Sequence, residues 1–252
     1  MISKSKIKQI RQLKIKKFRE QYQQFIVEGS INALDYLKSD LIPTDIFILE
    51  SWVKNNNIDD LPLDPIIIST KEMGQISALK NPSEILVVFE IPSLSDSSNS
   101  VKDFIIALDD IHDPGNLGTI IRTADWFGIN NIVCSENSVD VYNPKVVQAT
   151  MGSLSRVNVS KVSIKEFIQN LDPDVPVYGA MLQGKATTEF NNPSPGVILI
   201  GSEAHGISSE LENLITDRIT IPLLNKSTSS QPESLNASVA CAIICYALKI
   251  RS

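Results

Sequence analysis

The chain has 252 residues, enough for one large domain or two small ones, and its 42% hydrophobic and 21% charged residues are ordinary for a globular protein. No apolar run reaches the roughly 18 residues that a membrane helix needs, and no long apolar segment follows the basic start. The sequence therefore excludes a membrane span and a secretory signal, and we expect a cytoplasmic protein without a membrane partner.

Three cysteines, Cys134, Cys241 and Cys245, form no CxxC pair, and the only histidines are His112 and His205. An odd cysteine count without a disulfide spacing indicates a reducing compartment. No Cys/His cluster favours a metal site, so none is predicted. Cys241 and Cys245 lie four residues apart in an apolar stretch, which predicts one buried helix face.

Charge is unevenly distributed along the chain. The net charge is −6, yet residues 1–20 hold eight basic side chains against the single acidic Glu20. A short basic segment of this kind suits contact with nucleic-acid phosphates. A solvated helix face explains the same charges equally well, so charge alone leaves the two interpretations open.

The first ninety residues predict a small alternating α/β unit. Its expected elements are an opening basic helix, a strand at Phe25–Val27 ending at Gly29, a helix capped by Ser30, strands at Ile46–Leu49 and Ile66–Ile68, a helix capped by Thr70, and a strand at Ile85–Ile91. A serine-rich stretch follows and predicts an exposed linker. We expect an N-terminal domain at 1–92, a linker at 93–102 and a second domain at 103–252.

A second α/β unit is predicted after the linker. Its expected elements are a strand at Phe104–Leu108, a helix at 118–127 closed by Gly128, a strand at Ile132–Cys134, a helix opened by Asn143-Pro144, strands at Val177–Met181, Val197–Ile200 and Ile219–Ile221, and a last helix from Asn236 to about Ile250. The last helix is apolar on several sides and is expected to be deeply packed.

Three polar or glycine-bearing segments each follow a strand of this second unit, at 109–124, 200–207 and 221–238. Ligands in open α/β folds bind at the carboxyl ends of strands, so these segments are the candidate site. In the first segment Asn116 can cap the helix. The guanidinium of Arg122 can donate paired hydrogen bonds to a phosphate or to a developing oxyanion. A lone Arg at such a position is more often a surface residue.

The other two segments have ordinary explanations as well. Glu203 lies between two glycines in a tight loop, where the backbone can approach a ligand, but it also suits the start of a helix. Ser234 and Asn236 are typical capping residues. There is no G-x-G-x-x-G, G-x-x-x-x-G-K-[ST] or G-x-S-x-G sequence, which disfavours dinucleotide binding, nucleotide hydrolysis and serine-hydrolase chemistry.

In order and spacing, the three segments resemble motifs one, two and three of the SpoU/TrmH family of SPOUT methyltransferases. The matching residues are Asn116, Gly118 and Arg122 in motif one, Gly201, Glu203 and Gly206 in motif two, and Ser234, Leu235 and Asn236 in motif three. Further upstream, the segment Phe18–Leu37, which contains the run Phe25–Gly29, resembles the small L30e-like substrate-binding domain of many members. The resemblance thus extends over nearly the whole chain.

This resemblance implies an α/β fold with two domains. The C-terminal one is an α/β-knot domain, trefoil-knotted around a mostly parallel sheet, and the N-terminal one is the small L30e-like domain. It also implies a homodimer formed through the catalytic domain. The implied methyl donor is S-adenosylmethionine, and the residues implied to hold it are Gly201, Ile221, Leu223, Ser234, Leu235 and Asn236.

The implied reaction transfers a methyl group from this donor to a ribose 2′-hydroxyl of structured RNA. The resemblance makes Arg122 the catalytic residue, with Asn116 positioning the ribose and Glu203 orienting Arg122 or the loop. Because free Arg is effectively never deprotonated, we expect Arg122 to stabilise the forming alkoxide; a base role would need a strongly perturbed site. Ribosomal RNA is the favoured substrate, and transfer RNA stays open.

One departure from the family concerns the segment 223–233, which is longer and more polar than the family's short glycine-containing linker. It reshapes the mouth of the expected pocket, reaches towards RNA, or is a neutral surface insertion. Two other functions stay possible on the sequence alone. One is a non-catalytic RNA- or ribosome-binding protein on the same scaffold, and the other is a small-molecule methyltransferase.

Overall fold

A computed structural model describes residues 2–93, 101–225 and 233–251. Most of the predicted linker at 93–102 and most of the long segment 223–233 lie outside these ranges. The described chain divides into two compact units. The first contains residues up to 93 together with Asp140–Arg156, and the second contains 101–139 and the chain from Val157 onward.

The first 93 residues form five helices and four strands. They are α1 Lys4–Gln12, α2 Lys16–Tyr22, β1 Gln24–Glu28, α3 Ser30–Leu37, β2 Pro43–Leu49, α4 Glu50–Val53, β3 Ile66–Ile68, α5 Thr70–Ile76 and β4 Ile85–Glu90. The strands form one sheet in the order β1-β4-β2-β3, antiparallel except for the β2–β3 pair. This is the small α/β unit that the apolar runs predict.

Besides two short 3-10 helices at Ser153–Ser155 and Thr187–Glu189, the chain from residue 101 onward supplies the remaining α-helices and strands. They are β5 Ile105–Leu108, α6 Pro114–Trp126, β6 Asn131–Cys134, α7 Pro144–Thr150, β7 Asn158–Lys161, α8 Ile164–Gln169, β8 Val177–Ala186, β9 Val197–Ile200, α9 Ser209–Glu212, β10 Asp217–Thr220 and α10 Ala237–Lys249. The sheet order is β10-β8-β9-β5-β6-β7 and every pairing is parallel. The predicted mostly parallel sheet is therefore confirmed, whereas the trefoil knot stays a prediction.

The sequence prediction assigned 140–156 to the second domain, but the structure groups this segment, which contains α7, with the first unit. A buried ion pair explains part of this packing. Arg19 is almost fully buried, and its Nε donates to Asp140 Oδ2 at 2.9 Å while its Nη1 donates to the Leu13 carbonyl at 2.7 Å. Tyr142 adds a ring contact to Phe25, with centroids 4.7 Å apart.

Helix starts differ from the predictions at several positions. The opening basic helix is interrupted, because Leu13 is buried as the C-cap of α1 and Ile15 is extended as the N-cap of α2. Ser30 does not cap α3; Gly29 precedes the helix, and the Ser30 hydroxyl accepts from Trp52 Nε1 at 3.0 Å. Ser69, rather than Thr70, caps α5 in a capping box with Glu72.

The last helix is packed on only part of its surface. Cys241 and Cys245 share a buried face, as predicted, with their sulfurs 3.9 Å apart. Val239, Ile243 and Tyr246, in contrast, are exposed. The prediction of a helix packed on several sides was therefore wrong for this face. No helix in the described part of the chain is both long and apolar enough to cross a membrane.

A buried carboxylate joins three elements of the first unit. Glu28 lies at the end of β1, and its carboxylate accepts a hydrogen bond from the Ser77 hydroxyl and one from the Ala78 amide at 2.7 Å. Lys14, between α1 and α2, donates to the Ser77 carbonyl. Burial raises the pKa of Glu28, although these two hydrogen bonds and the Lys14 charge oppose the rise.

The raised pKa of Glu28 makes the stability of the first unit depend on pH. The folded state holds the Glu28 proton more tightly than the unfolded chain, so the free energy of unfolding falls as pH rises from about 4.3 through the folded-state pKa. Glu28→Gln is neutral at every pH; its side-chain oxygen can accept from the Ala78 amide, and its Nε2 can donate to the Ser77 hydroxyl in place of the bond that Ser77 donates in the wild type. We therefore expect it to be more stable than the wild type above this window, with the advantage disappearing towards pH 4, as measured by denaturant unfolding.

Glu72 provides a control in which the pH dependence of stability has the opposite sign. Hydrogen bonds from Ser69 lower the pKa of Glu72, so its stabilisation is present above the unfolded-state pKa and is lost as pH falls. Glu72→Gln should therefore be less stable than the wild type at neutral pH and should approach it in acid. Equal pH profiles for Glu28→Gln and the wild type would contradict the role given to Glu28.

Candidate ligand-binding site

The order of the parallel sheet brings the predicted site segments together. Strand β9 lies between β8 and β5, and β8 also pairs with β10. Because the paired strands are parallel, their carboxyl ends lie at one edge of the sheet. The segments that follow β5, β9 and β10 therefore meet at this edge, as the sequence analysis predicted.

The first segment turns into α6 earlier than predicted. Asp113 is the N-cap and accepts from the Asn116 amide at 2.9 Å, and Pro114 occupies the first turn, where its missing N–H costs nothing. The prediction that Asn116 caps the helix was therefore wrong. Its side chain is instead available for contacts with other segments.

Asn116 joins the three segments through its side-chain amide. Its Nδ2 donates to Glu203 Oε1, and its Oδ1 accepts from Asn236 Nδ2 at 2.9 Å. Asn236 in turn caps α10, since its Oδ1 accepts from the amides of Ser238 at 3.0 Å and Val239 at 3.3 Å. Asn116 thus directly contacts Glu203, which lies 87 positions later in the sequence, and Asn236, which lies 120 positions later.

The second segment forms a tight loop between β9 and α9. Ser202 and Gly206 exchange two backbone hydrogen bonds of 3.1 and 2.9 Å, which closes the loop on itself. Gly206 has a φ of +67°, a conformation that favours glycine. Gly201 has no room for a side chain, because a Cβ atom there would collide with the backbone of Gly206 and Ile207.

A cavity of about 390 Å³ lies against this loop, a volume within the range of small-molecule pockets. Five of the predicted site residues line it: Gly201, Glu203, Ile221, Ser234 and Leu235. Its walls combine aliphatic side chains with the backbone edges of a glycine-containing loop. Such a lining suits a partly polar small molecule, and the Glu203 carboxylate favours a positively charged group.

The other predicted site residues do not line this cavity. Asn116 and Asn236 act on it through Glu203 and through the start of α10. Leu223 is 57% exposed beyond the end of β10. Arg122 is exposed on α6, and no hydrogen bond or ion pair joins it to another residue within the described ranges.

Residues of β8 and of the body of α10 also line the cavity, and the sequence motifs do not include them. Met181 and Leu182 line the cavity from β8, where the pairing with β10 shifts register, and Ala237 and Ala240 line it from α10. Met181 and Leu182 lie in the middle of β8 and not at its carboxyl end, so a rule that selects the loops after strands does not identify them.

Similarity to known proteins covers both units. A model of the SpoU rRNA methylase family matches residues 103–246. A model of the MRM3-like substrate binding domain matches residues 4–87. The second match lies within the N-terminal domain that the sequence predicts at 1–92.

Individual relatives match over nearly the full chain. The 23S rRNA (guanosine(2553)-2′-O)-methyltransferase RlmP of Bacillus subtilis is 27% identical over 246 residues, 97% of this chain and 96% of the relative. A solved structure assigned to the TrmH family of RNA methyltransferases, from Porphyromonas gingivalis, has a TM-score of 0.86 at 34% identity and covers 100% of both chains.

A second solved structure contains a bound ligand. The AdoMet-bound rRNA methyltransferase of Sinorhizobium meliloti has a TM-score of 0.85 at 26% identity and covers 99% of this chain and 96% of that one. These likenesses confirm the α/β fold with a parallel sheet. Because the family model matches more than half of the sequence, this protein belongs to the SpoU rRNA methylase family.

Proposed function

We propose that this protein transfers a methyl group from S-adenosylmethionine to a ribose 2′-hydroxyl of RNA, with ribosomal RNA as the substrate. One structural observation supports this most directly: residues of the second and third motifs line one cavity, and Asn116 joins them to the first motif. The named activity of the Bacillus relative and the ligand of the Sinorhizobium structure agree with it.

The cavity residues fit this methyl donor. The donor combines a flat adenine ring with a positively charged sulfonium, which supplies an electrophilic methyl group when it is bound. Gly201, Ile221, Ser234 and Leu235 would hold it, and Glu203 offers a negative charge at the same wall. Asn236 supports them by fixing the start of α10, whereas Leu223 extends away from the described cavity.

The residues around the cavity have separate tasks in the reaction. A ribose hydroxyl is a poor nucleophile until its developing charge is stabilised, and Arg122 provides a fixed cation with several donors for this purpose or for a neighbouring phosphate. Asn116 positions the ribose. Glu203 contacts Asn116 in the structure, so its task is to orient Asn116 and the loop rather than Arg122.

We include a homodimer in this proposal. Two neighbouring helices carry exposed apolar side chains: Trp126 on α6 is 84% exposed, and Tyr246 on α10 is 55% exposed beside Val239 and Ile243. Surfaces of this kind usually mark an interface. Arg122 lies one helical turn from Trp126, so association through this surface would place Arg122 at the junction of two copies.

The outer face of α1 supplies the RNA contact in this proposal. Lys4, Lys8 and Arg11 are exposed at helical spacing along one face, over about 10 Å. The opposite face is fixed in the core through Ile10, and Lys6 pairs with Asp45 at 2.7 Å. A docked helix therefore presents three cations, as a phosphate-binding surface requires.

The cytoplasm is the proposed location. All three cysteines are unpaired thiols in buried positions. Burial raises the pKa of the Cys134 thiol to about 12, which keeps it in the unreactive protonated form. This use of cysteine as a small core residue suits a reducing compartment.

Replacing Arg122 should abolish catalysis without abolishing donor binding. Removing one electrostatic stabiliser of a developing oxyanion costs about 10²–10³-fold in rate, and we expect a loss of at least this size for Arg122→Ala. The measurement is mapping of 2′-O-methyl ribose across ribosomal and transfer RNA in a deletion strain that carries either the wild-type gene or the gene for Arg122→Ala. Methylation of one ribosomal nucleotide should return with the wild-type gene only.

Other outcomes of the mapping have definite meanings. If the missing methyl group is in transfer RNA, the substrate class is wrong. If deletion removes no methyl group, the non-catalytic binding protein becomes the better explanation. Near-normal turnover by Arg122→Ala would contradict the role of this residue alone.

Gly201→Ala should weaken donor binding. The added methyl would meet backbone atoms that cannot rotate away, so the loop must open. Overpacking of this kind costs about 1–3 kcal/mol, which corresponds to about 5- to 160-fold in the dissociation constant of S-adenosylmethionine by titration calorimetry. Gly74→Ala in α5 is the matched control, since the nearest atom to its added Cβ is Pro82 Cγ at 4.0 Å. An unchanged affinity in Gly201→Ala would place the donor elsewhere.

Neutralising the outer face of α1 should weaken RNA binding and its dependence on salt. Each phosphate contact contributes about 0.7–0.9 to the slope of log affinity against log salt, so replacing Lys4, Lys8 and Arg11 with Gln should lower the slope by about two to three. Binding is measured with ribosomal RNA from the deletion strain at several salt concentrations. The control replaces three exposed lysines of the same unit, Lys54, Lys71 and Lys80, with Gln. An equal change in both triple variants would show that the α1 face is not the contact surface.

A further inference from the structure

The loop that lines the cavity is held at both ends by one residue. Asp109 follows β5, and its amide donates to the Ile200 carbonyl at 2.9 Å, where the loop leaves β9. Its carboxylate accepts from the Ser208 amide at 2.7 Å, where the loop enters α9. The two contacts span residues 201–207, and all six residues from Gly201 to Gly206 line the cavity.

Asp109 is itself fixed in place. It is 7% exposed, and the next residue, Asp110, has a φ of +56°. The Asp110 amide donates to Ser135 Oγ at 2.9 Å, and the Ser135 hydroxyl donates to Asp110 Oδ1 at 2.7 Å. The end of β6 therefore holds the backbone on which Asp109 depends, and a buried carboxylate on a rigid support can hold a loop.

The loop needs such an external contact. Its internal closure consists of the two hydrogen bonds between Ser202 and Gly206, and Ile207 anchors it in the core. These contacts fix its shape but leave the amide of Ser208 to be satisfied. The Asp109 carboxylate provides that acceptor, and a hydrogen bond to a charged group is stronger than a neutral one.

We propose that Asp109 is a positioning residue for the donor cavity, because its carboxylate holds the loop 201–207 in the conformation that lines it. Asp109 does not touch the cavity, so its effect passes through the loop. The inference rests on the proposed function to the extent that S-adenosylmethionine is the ligand of this cavity.

The test compares the dissociation constant of S-adenosylmethionine among variants by titration calorimetry. Asp109→Ala removes the acceptor and should weaken binding about tenfold or more. Asp109→Asn keeps an acceptor oxygen and should stay within about threefold of the wild type. Ser208→Pro removes the donated N–H from the other side, at a φ of −63° that proline adopts, and should weaken binding like Asp109→Ala.

Two controls separate positioning from general damage. Ser208→Ala removes only a hydroxyl and keeps the amide, so donor affinity should not change. Asp103→Ala removes a carboxylate near the opposite end of β5, where Asp103 pairs with Lys249 at 2.9 Å, and should also have no effect. RNA affinity, which the proposal assigns to α1, should stay at the wild-type level in every variant.

The outcomes are distinguishable from those of the proposed function. Wild-type affinity in Asp109→Ala and Ser208→Pro would overturn the positioning role while leaving methyl transfer intact. A wild-type protein that binds no S-adenosylmethionine would overturn both. If Asp109→Ala shows no cooperative thermal unfolding, donor affinity in Ser208→Pro and Asp109→Asn decides whether Asp109 positions the loop. Equal weakening of donor binding in Asp109→Asn and Ser208→Ala would contradict the proposal.

Discussion

The side-chain amide of Asn116 is the contact on which the arrangement of the site depends. Its nitrogen donates a hydrogen bond to Glu203, and its oxygen accepts one from Asn236. A carboxylate at this position would oppose Glu203 with a like charge, and a hydroxyl is too short to reach two partners. The contact is possible because β5 and β9 are neighbours in a parallel sheet and because Asp113 starts α6 before Asn116.

Much of the fold is predictable because buried strands leave a clear pattern. The apolar run at residues 85–91 ends at Pro92, and the run at 197–200 lies between Gly196 and Gly201. Both form strands in the structure, at Ile85–Glu90 and Val197–Ile200. Helix starts are harder to place where two capping residues lie close together. Ser69 and Thr70 are adjacent, and Asp113 precedes Asn116 by three residues, so side-chain type alone does not decide between them. Proline at the first helical turn is the additional signal that favours Asp113.

The candidate site was predictable where function needs polar groups or glycine, and not elsewhere. Gly201 and Glu203 were identified because their loop pattern is unusual, and both line the cavity. Met181 and Leu182 line it as well, but their side chains resemble ordinary core residues in sequence. The position of Arg122 was also beyond prediction, since a helical spacing does not say whether a side chain faces its own chain's cavity or away from it. The catalytic and donor-binding roles of individual residues stay proposals.

The packing of 140–156 into the first unit affects how this protein can be divided. The polypeptide leaves the first unit, passes through β5, α6 and β6, returns for α7, and then leaves again for β7. A fragment ending before β5 would lack Asp140 and expose the buried guanidinium of Arg19 without its partner. The two units therefore do not correspond to two separable stretches of gene. A fusion or a transplanted recognition module built from the N-terminal ninety residues alone would omit a part of its own interior.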